Sequence, residues 1–219
     1  MQKKIIWFIV ILLLIKLVVV SPGVDRDLAI LPYDAVHNRF YGEDDLLSKM
    51  IYRLVPWITV CMVVFPISWV IWSAAKRDER QTKLAKRFSI IVLLSLTLGP
   101  GLLVNTVFKG NWGRARPYQV LRDGKIFTPV WQANFKERSQ HSFSSGHASI
   151  GFFLGIPLLA LGRKRTAVIV SAAGGLIVGG VRILQGGHYL TDVLFSGIFV
   201  WLVAWIVIYF TDKWYYKKG

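Results

Sequence analysis

Three stretches of this chain run without a charged residue for the length of a bilayer: Leu54–Ala75, Phe88–Phe108 and Val193–Thr211. A membrane-crossing helix needs roughly 20 mostly apolar residues. In hydrocarbon every backbone N–H and C=O must find its partner inside the protein, so a spanning segment this long and apolar is read as a helix. Three more runs join them: Ile5–Val20, interrupted only by Lys16, then Ala148–Gly162, extendable back through Phe143–His147, and Ala167–Val181, which continues through Arg182 to Gly187. The pattern predicts an all-α integral membrane protein with six transmembrane helices, a single domain spanning residues 1–219. The basic Met1–Lys4 followed by an apolar run has the outline of a signal peptide. No small-residue cleavage site follows, however, and Ser21-Pro22 is a poor place to cut, so the run reads as an uncleaved first span with a snorkelling Lys16.

Charge sets the expected orientation. Lys and Arg number 27 against 12 Asp and Glu, a formal net charge of +15, although 54% of residues are hydrophobic. So apolar a chain excludes disorder, and an excess spread over short loops between spans argues against nucleic-acid binding. The 76–87 connection, Arg163-Lys164-Arg165, the C-terminal tail and the N-terminus are all basic, and with six spans they share one side. That side is cytoplasmic by the positive-inside rule, as are both termini. Residues 21–53, with six acids and four bases, belong outside, and 35–53 reads as an amphipathic interfacial segment holding His37. The 109–146 loop is also outside yet carries seven bases and two acids, which argues for a local task. Cys61 is the only cysteine and can form no internal disulfide.

The residues out of place in such a chain collect at the outer ends of the spans. Ionisable groups at membrane depth are costly and usually functional. Arg182 lies near the end of the fifth span, and Asp192 follows His188 by one helical turn, so a carboxylate can orient the imidazole. Lys109, Arg114 and Arg116 lie among glycines in Lys109–Pro117 and suit phosphate oxygens. Ser145, Gly146 and His147 open the fourth span, where free N–H groups and the helix dipole form an anion site. This set suits phosphoryl transfer through a phosphohistidine. His188 attacks phosphorus, assisted by Asp192. Lys109, Arg116 and Arg182 stabilise the equatorial oxygens, and His147 protonates the leaving oxygen and then activates water. No metal-ligand spacing is evident, and no cofactor is expected.

Three spaced motifs then carry a family resemblance. Lys109, six residues and Arg116-Pro117; Ser144-Ser145-Gly146-His147; and Val181-Arg182, five residues, His188, three residues, Asp192 resemble the K-x6-RP, PSGH and SR-x5-H-x3-D motifs of the type 2 phosphatidic acid phosphatases. The resemblance covers roughly 85–211 and implies a metal-independent lipid phosphatase with a six-span helical core and the roles assigned above. Ser144 replaces the usual Pro. Val181 replaces the usual Ser, which removes one hydroxyl donor to phosphate. Within the family, Gly99–Asn105, Asn111–Arg114 and Gln185–His188 are most similar to bacterial lipid A 4'-phosphatases. The resemblance thus implies the inner membrane, an active site facing the periplasm, and a lipid A or phospholipid partner.

Alternatives stay open at this point: phosphatidic acid, phosphatidylglycerol phosphate or undecaprenyl diphosphate as substrate, a lipid phosphotransferase, or a transporter or anionic-lipid binder. Arg114 and His141 are candidate head-group contacts. Asn105 and Gln185 are expected to bond between helices, and Trp112 and Tyr118 to anchor the interface or touch substrate.

Overall fold

The computed structural model describes residues 22–137 and 139–217. The expected first span, Lys16 included, lies outside the described residues. The chain opens with α1 (Pro22–Ile30), a two-residue antiparallel hairpin of β1 (Tyr33–Asp34) and β2 (Arg39–Phe40), and α2 (Tyr41–Asp44). Then come α3 (Leu46–Ala75) and α4 (Glu79–Asn111), the short α5 (Pro117–Arg122), α6 (Gly146–Phe153), α7 (Ile156–Ala160), α8 (Lys164–Leu184) and α9 (Leu190–Lys217). The hairpin, together with one isolated bridge between Arg114 and His141, departs from an all-α fold among the described residues. Its turn is closed by His37, whose Nδ1 lies 2.7 Å from the Asp34 carboxylate.

Four helices, α3, α4, α8 and α9, are long and apolar enough to cross a membrane, and they coincide with four of the expected spans. The expected span Ala148–Gly162 is instead two short helices, α6 and α7, within Gly146–Ala160. Gly155 and Pro157 lie at the break, and proline removes a backbone donor.

Helix starts follow local rules. Asp45 and Asp78 cap α3 and α4 by accepting the backbone N–H of Ser48 and Gln81, each three residues on. The inward faces supply one core, including Phe88, Ile91, Val92, Phe153, Ile156, Val193 and Val200. Outward faces leave Phe65, Ile71, Ile169, Trp205 and Phe210 exposed. In water such a girdle would be an aggregation liability; against hydrocarbon it is the stable arrangement.

Helices α6 and α8 approach through glycine. A Cβ on Gly151 would sit 2.5 Å from the Gly174 carbonyl oxygen, and one on Gly174 equally close to Gly151. Small residues permit such backbone contact between membrane helices. The close fit seats α6, and hence His147, against the helix that carries Arg182.

The lower part of α4 is α-helical, but Thr97–Phe108 is a π-helix containing Gly99, Pro100 and Gly101. Asn105 Nδ2 donates to the Pro100 carbonyl at 2.7 Å, within its own helix rather than to a neighbour as expected. The wider π turn changes which face of the helix Lys109 occupies, and such segments are frequent at functional sites.

Candidate active site

Three chain reversals assemble the site. The first is the turn between α8 and α9. Gly186 has φ +62°, and a Cβ there would lie 2.5 Å from the Phe40 ring. A Cβ on Gly187 would lie 2.2 Å from Arg182 Nη2, so the guanidinium runs along bare backbone. The amides of Gly186 and Gly187 bond back to the carbonyls of Ile183 and Arg182. The chain therefore passes from Arg182 to His188 within one tight turn.

His188 and Asp192 follow at the start of α9. Asp192 sits in its first turn and accepts the Tyr189 N–H at 2.9 Å, the return half of a capping box. Both residues are buried. Asp192 does not hydrogen-bond His188 directly, as expected from the one-turn spacing: Nδ1 is 3.7 Å from Oδ2. Nδ1 instead lies 2.7 Å from the Ser142 carbonyl oxygen. A carbonyl can only accept, so Nδ1 carries the proton and Nε2 keeps its lone pair. Ser142 links the two residues, since its hydroxyl donates to Asp192 Oδ2 at 2.6 Å. Burial pushes the His188 imidazole down to about 4, with Asp192 acting in the opposite direction.

The second reversal is the start of α6. Ser145 caps it, its hydroxyl accepting the Ala148 N–H. The expectation that Ser145 offers a free N–H to phosphate is corrected. That amide donates to Ser196 Oγ at 2.9 Å, which joins α6 to α9. The amides of Gly146 and His147 have no partner among the described residues, as expected in a first helical turn. A Cβ on Gly146 would fall 2.3 Å from Asn105 Oδ1, so glycine lets the π segment close over this helix start. His147 stacks on Tyr52 of α3, with ring centroids 4.2 Å apart.

The third is the loop after α4. Its strand-like bridge pairs Arg114 with His141, and the Ser142 amide donates to the Arg114 carbonyl at 2.9 Å. His141 Nδ1 lies 2.9 Å from the Lys109 carbonyl, which ties the imidazole to the loop. Trp112 donates its indole N–H to Val130 O and packs on Phe108 and Phe143, an internal staple.

Arg114 departs most from expectation. Proposed above as a head-group contact, it has 0% of its surface exposed. Nη1 donates to Asp192 at 2.6 Å and to Thr191, and Nη2 donates to Asp25 at 2.7 Å. Its Nε donates to the Thr128 carbonyl and its plane lies 4.0 Å from the Tyr189 ring centroid. Asp25 of α1 also accepts the N–H and hydroxyl of Thr191. An Asp25–Arg114–Asp192 triad therefore underlies the start of α9. Its members are satisfied on every side, which a buried ion pair requires. Asp25 was not anticipated, because no short-range spacing marks it.

Lys109, Arg116 and Arg182 behave differently. They repel one another, Arg116 and Arg182 act on both imidazoles, and Lys109 acts on His147. Among the described residues none of the three has a carboxylate partner, whereas Arg87, Arg114 and Arg122 do. Arg182 has Gln185 on Nη1 at 2.5 Å, not an interhelical bond, and its buried Nε has no partner. Concentrated positive charge around two imidazoles suits an anion.

Such a site in a bundle of apolar helices defines a membrane phosphatase. Residues 88–216 match the PAP2 superfamily, and the chain belongs to that family. It is 34% identical over 86% of its length, and 86% of the relative's, to a lipid A 4'-phosphatase of Francisella tularensis subsp. novicida (strain U112). A second lipid A 4'-phosphatase, of Rhizobium leguminosarum, is 32% identical over 74% of this chain and 68% of its own. No solved structure is a significant match.

Proposed function

We propose that this protein removes a phosphate monoester from a membrane lipid through a phosphohistidine, with lipid A and its 4'-phosphate as substrate. One observation carries the reading: among the described residues Lys109, Arg116 and Arg182 have no carboxylate partner, and all three act on His147, Arg116 and Arg182 on His188 as well. The relatives' names supply the lipid.

In the first step Nε2 of His188 attacks phosphorus, and the bond from phosphorus to the sugar oxygen breaks. Protonated His147 gives its proton to that oxygen as it leaves. Charge on the equatorial oxygens is met by the three cations and the amides of Gly146 and His147. The phosphorylated imidazole keeps its Nδ1 proton on the Ser142 carbonyl, and the Asp192 charge at 3.7 Å favours its cationic form. In the second step neutral His147 takes a proton from water, the oxygen attacks phosphorus, and the P–N bond breaks. Phosphate leaves and both histidines return to their starting forms.

By this reading the protein is a multi-pass protein of a bacterial inner membrane, with six spans, cytoplasmic termini and the site facing the periplasm. Residues 21–53 lie on the outer interface, where exposed Leu46, Leu47 and Met50 meet the lipid surface.

The test is phosphate release by the detergent-purified protein in EDTA, from lipid A, phosphatidic acid, phosphatidylglycerol phosphate and undecaprenyl diphosphate. Lipid A is expected to be hydrolysed fastest and EDTA to leave the rate unchanged. Loss of the rate in EDTA, restored by a divalent cation, would overturn the metal-independent mechanism. A second expectation concerns pH. His188 attacks only when neutral, so activity disappears as pH falls through its pKa. His147 must be protonated to serve as the acid, so activity also falls at alkaline pH and the profile is expected to be bell-shaped, with its acid limb below the ordinary histidine value of roughly 6.5 because burial lowers His188. An acid limb at pH 6.5 would show that His188 is not held as the geometry implies.

A further inference from the structure

Beyond the three cations lies a cavity of about 320 Å³ lined by Glu43, Tyr52, Tyr118, Arg182, Gln185 and Gly187. Arg182 lines this space and also stands among the three cations, so the two adjoin at its guanidinium. The far wall comes from the N-terminal segment. Glu43 of α2 accepts a two-pronged bond from Arg122 of α5, at 2.8 and 2.6 Å. That ion pair draws the Glu43 carboxyl below the usual carboxylate range. Gly42 fixes this wall against α8, since a Cβ there would lie 2.7 Å from the Leu184 backbone.

The lining is amphipathic in a particular way. Tyr52 is engaged by His147 and, at 4.9 Å, by Arg182. Tyr118 stands half-buried across from it, anchored by its own N–H to the Gly186 carbonyl at 3.1 Å, with Arg116 5.9 Å from its ring. An aromatic wall suits the C–H face of a ring, and a carboxylate and a side-chain amide suit its hydroxyls.

We propose that this cavity is a head-group subsite that receives the pyranose ring bearing the scissile phosphate, with Tyr118 as its apolar wall and Glu43 and Gln185 as its hydroxyl partners. The proposal rests on the phosphatase reading above and adds the source of its selectivity: a phosphorylated glycolipid is chosen over a glycerophospholipid at the ring, not at the phosphate.

The test is competitive inhibition of lipid hydrolysis by three water-soluble probes: glucosamine 4-phosphate, glycerol 3-phosphate and inorganic phosphate. In the wild-type protein the sugar phosphate is expected to bind at least about tenfold more tightly than the other two, roughly 1.4 kcal/mol. In Tyr118→Leu and in Glu43→Gln that advantage is expected to shrink to about twofold or less. The ratio of kcat/KM for lipid A over phosphatidic acid falls with it. Equal inhibition by sugar and glycerol phosphates in the wild type would overturn the subsite and needs no variant to fold. A sugar advantage kept in both variants would also overturn it, while leaving the phosphatase reading intact. Release of phosphate from no lipid at all would overturn both.

Discussion

Changing His188 to alanine is expected to lower phosphate release by at least about a thousandfold, since it removes the nucleophile on which both chemical steps depend. The binding cations remain, so the variant should still hold lipid or inorganic phosphate. His188 is buried and donates to the Ser142 carbonyl at 2.7 Å, so its loss also leaves one acceptor without a partner. That deletion costs on the order of 1–3 kcal/mol, and thermal unfolding in detergent measures it separately. His188→Asn, which can reach the same carbonyl, should be as inactive and nearer the parent in stability. A variant folded and within about tenfold of wild-type turnover would exclude His188 as nucleophile. His147→Ala is expected to be less severe, in the range of 10² to 10⁴, because water supplies the lost proton poorly rather than not at all.

The second large effect lies beneath the reacting atoms. Arg114→Met is expected to destabilise the protein by about 3–5 kcal/mol, because it leaves two buried carboxylates, Asp25 and Asp192, without their shared cation. A shift in thermal midpoint well above that of an exposed control such as Lys125→Met is the expected reading. Asp25→Asn should cost less, since its amide can still accept from Thr191. The double variant should then be less damaged than the sum of the two, which is the signature of groups sharing one network. An unchanged midpoint in Arg114→Met would show that the triad does not bear on stability.

Much of this was legible from spacing alone. Helix spans follow from uncharged runs, and four of them appear at the expected places because backbone satisfaction in hydrocarbon leaves little choice. The candidate set was partly legible in the same way, since Lys109 and Arg116, Gly146 and His147, and Arg182, His188 and Asp192 are each separated by less than three helical turns. Local geometry of that kind survives folding. What failed is instructive. The Ser145 amide and the Arg114 guanidinium looked available to phosphate because their sequence neighbours are ligand-binding types. Each is instead consumed by a partner far along the chain: Ser196, 51 residues away, and Asp25, 89 residues away. Gln185 was misassigned for the opposite reason, because its partner is a near-neighbour side chain rather than another helix.

The sequence by itself determined that this chain is a helical membrane protein of a phosphatase family, with its out-of-place ionisable residues gathered at the ends of its apolar runs. Those properties depend on apolar run length and on ligand spacing within single turns, both one-dimensional quantities. Only the tertiary structure decided which cations are free and which are spent. Arg114 and Arg116 stand two residues apart in one loop, yet one is locked between carboxylates and the other is left to repel its neighbours. The difference arises from burial and from acids delivered by distant helices, and no local pattern encodes it.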